Sequence, residues 1–325
     1  MTDTPSAAVA LPLGWQRKMV YLPFRAGELP LFTLPLDALE LSSPPMSRDT
    51  EHPAPPFDAL VPPIELLLAR SFPVGDRLPR VARLAAALRY VPTQYRRFFV
   101  DLGGTFEDYT KTFSSKTRST FARKLRKFAA FSGGRVDVRE YRSRSDMRTF
   151  LPLGRELSRR TYQERLLRKG LPSESRFADE VGELADEGRI RAYLLLHEDR
   201  AVAYMCCPVQ DRVALYEYVG FDPDYAEWSP GTVLQYLVLE RMFKDRDLRR
   251  FDFTEGEGDH KELFATDHVF CADVYYFRPS ARNSLLVAFH AALATASAGA
   301  GRALDRLGLK RSLRALLRGR RHLSS

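Results

Sequence analysis

The sequence predicts an α+β fold, in which a mixed and mostly antiparallel sheet is flanked by helices. Two observations carry this prediction. Three strand-like segments, 190–196, 201–209 and 213–220, are separated only by short polar turns, which is the pattern of an antiparallel meander. From residue 135 to 277 the predicted order is β-α-α-β-β-β-α-β-α-β, so helices stand before and after the meander and do not alternate with every strand.

The chain has 325 residues, a length that allows two domains of ordinary size. Hydrophobic residues make up 45% and charged residues 28% of it, which is the balance of a globular protein with a full core. Composition divides the chain into four predicted parts. They are a flexible start at 1–15, an N-terminal lobe at 16–134, a main domain at 135–278 and a basic amphipathic tail at 279–325.

The N-terminal lobe opens with strand-like pieces between residues 19 and 41. Residues 43–63 contain seven prolines, and we expect an irregular connection there. The leucine and alanine spacing of 64–70 and 80–88 predicts two helices, whereas 94–102 is typical of a strand. The lobe is therefore expected to mix strands with short helices.

The lobe ends in a predicted basic amphipathic helix at 114–131. Phe121, Leu125 and Phe128 follow the i, i+4, i+7 spacing of one helical face. Residues 116–127 contain six basic residues and no acid. Four of these basic residues share the opposite face: Lys116, Arg123, Arg126 and Lys127. This face either binds an anionic partner or is simply solvated, and the sequence leaves both interpretations open.

The main domain begins with a strand at 135–141. The elements that follow around the meander are helices at 146–165 and 175–186, a helix from Pro230 to Phe243, a strand at 250–253, a short helix at 259–264 and a last strand at 274–277. The tail after residue 281 has the spacing of two amphipathic helices, of which the second is strongly basic.

The net charge is +9, and part of the excess lies in the tail, where residues 302–325 hold eight Lys or Arg against one acid. The three cysteines form no CxxC spacing and no secretory leader is visible, so we expect a reduced, cytoplasmic compartment. No run of 18 apolar residues occurs, and a spanning helix is not expected.

Several common functional motifs are missing from the sequence. There is no Walker A loop, no GxSxG elbow and no HExxH pair. Gly256 and Gly258 lack the third glycine of a dinucleotide fingerprint, and His260 and His268 lack the spacing of a zinc site. We therefore expect no metal site.

Two stretches contain residues suited to catalysis or to anion binding. The segment 250–264 runs from a Phe-x-Phe strand into five carboxylates, Asp252, Glu255, Glu257, Asp259 and Glu262. The second stretch is the helix start Pro230-Gly231-Thr232, where unpaired N–H groups and the helix dipole favour an anion. An ordinary solvated turn and an ordinary helix cap are the alternatives.

Four segments together resemble a known family: FSSKTRSTFARKLRKF (113–128), LSRRTYQERLLRKGL (157–171), FDPDYAEWSPGTVL (221–234) and RRFDFTEGEGDHKELFA (249–265). In this order they resemble the GNAT-type acyltransferases over about residues 105–278. More narrowly they are similar to the CelD-like acetyltransferase domain found with bacterial exopolysaccharide and cellulose genes, which is related to the FemAB aminoacyltransferases.

The chain departs from the family at its final motif, which usually reads Asp-Phe-Gly-x-Gly-Asp-x-x-Tyr-Lys. Asp252, Gly256 and Lys261 keep their places. Thr254, Glu257 and His260 replace the first Gly, the second Asp and the Tyr. The change at His260 indicates either a different acceptor or no role for that position.

The resemblance implies a GNAT fold, with residues 16–134 as a second, degenerate lobe in one reading, and acetyl-CoA or another acyl-CoA as cosubstrate. In that fold the fourth strand splays from the fifth and binds the acyl-pantetheine arm. By order these strands are 215–220 and 250–253. The implied backbone contacts are Tyr218, Val219 and Gly220 for the arm, and Pro230, Gly231, Thr232 and Val233 for the pyrophosphate.

The acceptor must lose a proton, so the site needs a base facing the cleft. Asp252, Glu255 and Glu217 are the candidates, and we favour the first two because they end the strand that borders the cleft. In the alternative, Asp252 pairs with Arg249 or Arg250 and the other acids solvate a turn. Lys261, His260 and Tyr162 are the candidate substrate contacts, although Lys261 equally suits a surface lysine.

The resemblance predicts an acyl-CoA-dependent N- or O-acyltransferase acting on a sugar, amino-sugar or other cell-envelope precursor. In one alternative the donor is an aminoacyl-tRNA and the basic helix contacts RNA phosphates; in another the chain is a non-enzymatic binder of nucleic acid or membrane. The tail at 302–322 suits peripheral contact with anionic lipid at the inner face of the membrane.

Overall fold

The computed structural model describes residues 15–27, 29–41, 64–161 and 170–306. The chain forms two compact units, residues 1–96 with 269–325, and residues 97–268. The second unit begins earlier than the predicted boundary at residue 134, because the basic helix packs into the core of that unit.

The first unit is built on a long hairpin. Strands β1 and β2 pair antiparallel along their whole length, β2 continues parallel to β3, and β3 pairs antiparallel with β12. A short strand, β4, pairs with β5. The elements, numbered along the chain, are β1 (Trp15–Ala26), β2 (Leu29–Leu41), β3 (Leu66–Pro73), β4 (Val81–Arg83), β5 (Leu88–Asp101), β12 (Asp267–Phe277) and helix α7 (Ala281–Arg306).

The hairpin is amphipathic. Val20, Leu22 and Phe24 alternate with exposed residues in β1 and pack in one cluster with Val287 of α7. No helix in the described ranges has both the length and the apolar character needed to cross a membrane.

The helices predicted at 64–70 and 80–88 are wrong. Residues 66–73 form β3, which is buried along nearly its whole length between β2 and β12. The apolar run at 66–69 has no period that distinguishes a central strand from a buried helix. In the second segment Val81–Arg83 pairs with β5, and Leu84 donates to the Ala87 carbonyl in a turn.

The second unit is a mixed sheet with helices on both faces, which confirms the predicted α+β class. Its strand order is β5-β11-β9-β8-β7-β6, where β5 contributes its residues 97–101, and β10 is also paired to β8. Its elements are α1 (Phe106–Lys111), α2 (Ser115–Phe131), β6 (Asp137–Tyr141), α3 (Arg144–Arg160), α4 (Ser175–Asp186), β7 (Ile190–His197), β8 (Arg200–Gln210), β9 (Val213–Leu215), β10 (Tyr218–Phe221), a 3-10 helix at Pro223–Trp228, α5 (Pro230–Met242), β11 (Arg250–Asp252) and α6 (Asp259–Phe264).

Alternation along the strands divides the core of this unit between two sides of the sheet. Tyr193 and Met205 pack with α2 and α5, whereas Leu194 and Tyr204 pack with α3 and α4. The predicted basic helix is confirmed as α2. Its Ser114 cap accepts a hydrogen bond from the Thr117 amide.

The strand predicted at 213–220 is split by a β-bulge. Ala214 pairs with Val209 and Tyr218 pairs with Cys206, so three residues at 215–217 face two residues on β8. One of these two is Pro208, which has no N–H to donate to a neighbouring strand. The extra residue separates β9 from β10 and changes which backbone groups face β8.

Candidate functional site

Strands β9 and β11 run parallel and then part. Their pairing ends at Leu215 and Asp252, after which the Tyr216 N–H donates to the Asp252 carbonyl over 2.8 Å. Beyond that point β10 pairs with β8. The β9–β11 ladder therefore ends at the bulge, which is where the predicted splaying would begin.

The register of β10 leaves one of the three expected backbone donors facing away from β8. The Asp222 N–H donates to the Val202 carbonyl over 2.9 Å, so Gly220 and Tyr218, two and four residues earlier, also face β8. Val219 lies between them and turns its N–H and C=O away from β8, towards the open side. Of the predicted set, Val219 has the backbone groups that a ligand in the gap could reach.

Packing explains the glycine at 220. A Cβ added there would lie 2.6 Å from the Thr161 side chain and 2.7 Å from the Tyr204 ring. Both distances are shorter than real Cβ contacts. Gly220 is thus required by the close approach of α3 and β8, independently of any ligand.

Helix α5 starts without a side-chain cap. Ser229 has a left-handed backbone, with φ of 53°, and caps no amide by its side chain within the described residues. Pro230 has no N–H, and the Val233 N–H bonds to the Ser229 carbonyl. The N–H groups of Gly231 and Thr232 therefore point out of the helix start, where the helix dipole favours an anion.

A lysine from α2 lies at this helix start. The Lys124 ammonium donates to the Thr232 hydroxyl over 3.2 Å, and its pKa is lowered by burial and then by Arg123. Lys127 reaches the same region, where it donates to the Glu227 carbonyl over 2.9 Å. Two cations thus stand beside a helix N-terminus, the arrangement suited to phosphate.

Lys124 was not selected from the sequence, although a signal was available. It stands three residues after Phe121 and four before Phe128, on the edge of the buried face. A lysine there lays its stem along the core and projects its ammonium at the neighbouring helix. Of the four residues on the predicted outer face, Lys127 contacts the loop before α5, and Lys116, Arg123 and Arg126 are exposed.

Among the predicted bases, Glu217 lies at the bulge itself. Its side chain is solvent-exposed, yet burial by the surrounding protein raises its pKa. A hydrogen bond with Tyr218 opposes the rise, and the Glu255 carboxylate adds to it. A carboxyl that solvent can reach but that is poorly solvated is typical of a cleft wall, and a raised pKa suits a base at neutral pH.

Asp252 is fully buried and already paired. The Arg97 guanidinium donates to it in a two-point contact, with Nη2 2.7 Å from Oδ2, and the Thr254 N–H donates to Oδ1 over 2.8 Å. The partner is Arg97 of β5, and not the adjacent Arg249 or Arg250 considered from the sequence. Asp252 therefore stands at the strand end as predicted, but beneath the surface.

Lys261 is directed into the turn that follows β11. Its ammonium donates to the carbonyls of Phe253, Glu255 and Gly256, over 2.8, 2.7 and 3.3 Å. These bonds hold the turn that carries the exposed Glu255, so the side chain acts on the backbone of its own loop.

The two remaining predicted substrate contacts are His260 and Tyr162. His260 lies near Tyr216, with ring centroids 6.3 Å apart, and its pKa is lowered by burial and by Lys261. Tyr162 lies outside the described residues. Across the ranges that the structure describes, no three His, Cys, Asp or Glu side chains cluster in a way that could hold a metal ion.

Comparison with known proteins identifies the domain. Residues 115–262 match the family model of the acetyltransferase (GNAT) domain. No curated protein matches the sequence.

Solved structures with a related backbone include L-PGS from Bacillus licheniformis, at 14% identity over 69% of this chain and 71% of that one, with a TM-score of 0.41. FemX matches at 10% identity over 59% of this chain, with a TM-score of 0.43, and the match spans 63% of its length. An aminoglycoside acetyltransferase from an uncultured soil metagenomic sample matches at 12% identity over 40% of this chain and 84% of that one, with a TM-score of 0.30.

The family match agrees with the end of the β9–β11 ladder and the open helix start, and it confirms the predicted resemblance to GNAT acyltransferases, the GNAT fold and the enzyme class. Residues 115–262 match a GNAT acetyltransferase domain, and acyltransferase is the enzyme class that this domain indicates.

Proposed function

We propose that this chain transfers an acyl group from an acyl-CoA, with acetyl-CoA as the first donor to test, to a nitrogen or oxygen of a sugar, amino-sugar or other cell-envelope precursor. One observation carries the proposal: the parting of β10 from β11 lies next to the uncapped start of α5. A Cβ added at Gly231 would lie 3.2 Å from the ring of Phe221, so the end of β10 meets the start of that helix.

The residues at the helix start suit a pyrophosphate. The Gly231 and Thr232 amides supply donors, and Lys124 supplies a charge 3.2 Å from the Thr232 hydroxyl. The open backbone of Val219 would hold an extended arm that leads to the strand gap. When bound there, the donor supplies a thioester carbonyl for the acceptor to attack.

Glu217 is the base that this geometry favours. It is exposed at the bulge and its pKa is raised, whereas Asp252 is buried with both carboxylate oxygens bonded. Glu217 would take the proton from the acceptor as the acceptor attacks the thioester carbonyl; the C–S bond then breaks and coenzyme A leaves as its thiolate, which is protonated on release. Asp252 and Arg97 would hold the strand end, and Lys261 would position Glu255 as the second carboxylate of the site.

Calorimetric titration of the full chain with acetyl-CoA tests the donor directly. Saturable binding that Gly231→Glu abolishes supports the proposal, because the new carboxylate would stand where the pyrophosphate belongs. An aminoacyl-tRNA donor would instead give binding to tRNA with a steep dependence on salt and none to acetyl-CoA. That result would overturn the proposed donor and leave the acyltransferase class intact.

Peripheral contact with anionic lipid at the inner face of the membrane, through residues 302–322, belongs to the same proposal. Its support is the sequence, since residues 302–325 hold eight basic residues and a single acid. Most of this segment lies outside the described residues.

A further inference from the structure

The first unit contains an apolar groove between β2 and the N-terminal half of α7. Its volume is about 540 Å³, which lies in the range of roughly 300–1,000 Å³ that ligand sites occupy. The floor and walls are mainly aliphatic and aromatic. They include Leu34, Leu36, Leu66, Phe277 and Leu286.

The rim of the groove is an exposed apolar surface. Leu285 is 73%, Phe289 54% and Phe32 51% exposed. Phe24 stacks on both Phe32 and Phe289, at centroid distances of 4.4 and 5.8 Å, so the two exposed rings belong to one patch. An exposed apolar patch of this kind marks an interaction surface.

Helix α7, which carries Leu285 and Phe289 of the patch, is held in place by hydrogen bonds to neighbouring strands. Its buried His290 bonds to the Tyr90 hydroxyl and, over 3.1 Å, to the Pro23 carbonyl. The Ser297 hydroxyl donates to the Arg25 carbonyl further along the hairpin. The groove is therefore formed before any ligand arrives.

Charge around the patch is complementary to an anionic lipid surface. Residues 283–301 contain no charged side chain, and Arg282 and Arg302 stand at their two ends. The following stretch, 307–325, has six basic residues and no acid. Of the carboxylates at the groove, Asp37 is paired with Arg17 and Glu65 accepts from Asn283. Arg282 itself is exposed at the groove.

We propose that this face of the first unit lies on a bilayer that contains anionic phospholipid, and that the groove takes one acyl chain with its headgroup beside Arg282. Uncharged residues flanked by arginines suit the boundary between headgroups and chains, because arginine reaches back to the phosphates. The groove residues belong to the first unit, whereas the residues of the proposed acyltransferase site belong to the second.

The test uses the full chain and vesicles of phosphatidylcholine with phosphatidylglycerol whose acyl chain carries a diazirine. After photolysis, we expect crosslinked peptides to centre on residues 34–36 and 285–289. Leu34→Trp, which fills the groove, should lower that yield about tenfold, as expected for excluding several buried methylenes. Leu84→Gln, a partly exposed leucine of the same unit that does not line the groove, is the matched control and should leave the yield unchanged.

The same experiments distinguish a lipid chain in the groove from other occupants of this face. Crosslinks confined to 307–325, or spread over the surface and insensitive to Leu34→Trp, would overturn the chain site. If light scattering shows a dimer that Leu285→Gln converts to a monomer, a second copy covers this face instead. Acetyl-CoA titration of Leu34→Trp separates this outcome from a failure of the proposed donor, since the variant should bind the donor normally.

Discussion

Arg97 and Asp252 form a two-point ion pair in which the carboxylate is completely buried and the guanidinium nearly so. The pair joins β5 to β11 at the point where β11 leaves β9. Its position makes it the anchor of the strand end that borders the proposed acyl-transfer site.

Removing one partner of this pair should destabilise the protein strongly. We expect Arg97→Met to lower the free energy of unfolding by about 3–5 kcal/mol, because it leaves a buried charge without its partner. Denaturant unfolding measures the change. Arg176→Met, which breaks an exposed helical pair with Glu180, is the control and should unfold like the wild type. Equal midpoints for the two variants would contradict the anchoring role.

Glu217→Gln should lower kcat by about 10²–10⁴-fold, the range for loss of a general base, and leave the affinity for acetyl-CoA unchanged. The pH profile provides a second readout. Because Glu255 helps to raise the pKa of Glu217, Glu255→Gln should lower that pKa and move the acidic limb of kcat/KM to lower pH. Wild-type turnover in Glu217→Gln would remove this acid from the mechanism.

Lys124→Met should weaken acetyl-CoA binding by roughly tenfold or more, the loss expected for one charge-assisted hydrogen bond. The effect should appear in KM and much less in kcat, since the contact is made equally in the ground and transition states. Lys116→Met provides the matched control, because this exposed lysine lies two turns earlier on α2. If both variants bind like the wild type, the phosphates lie elsewhere.

Gly220→Ala should destabilise the second unit by about 1–3 kcal/mol, the usual effect of overpacking, because its Cβ would overlap Thr161 and Tyr204. Thermal unfolding measures this change. Gly104→Ala is the control in the same unit, where an added Cβ meets no described atom within 4 Å. A stable Gly220→Ala protein would show that α3 can move away from β10.

The sequence predicted the elements whose signals are local. Helix α4 begins and ends at the predicted residues 175 and 186, and α2 has the predicted buried face. The error at β3 has a physical reason, since a strand buried on both faces loses the alternation that reveals strands. The bulge was also missed, because the sequence does not show which residues of β8 lie opposite 215–217.

The contacts of the other predicted site residues depend on how the chain folds, and the sequence does not show this. The sequence favours Asp252 as a base, with pairing to Arg249 or Arg250 as the alternative, whereas its observed partner, Arg97, is 155 residues away. The sequence leaves Lys261 as either a ligand contact or a surface lysine, whereas the conformation of its loop brings three carbonyls within reach of its ammonium. In both cases the chemistry of the side chain was evident and its geometry was not.

The single extra residue at 215–217 shifts by one position the alternation of backbone groups along the strand. Without it, β10 would continue the alternation of β9, and Tyr218 and Gly220 would face the gap while Val219 bonded to β8. The backbone amide that can bind the acyl donor is thus determined by the number of residues between β9 and β10, and not by the side chains of those residues. Deleting one of the three should exchange the open and paired edges of the strand even if every neighbouring side chain is kept.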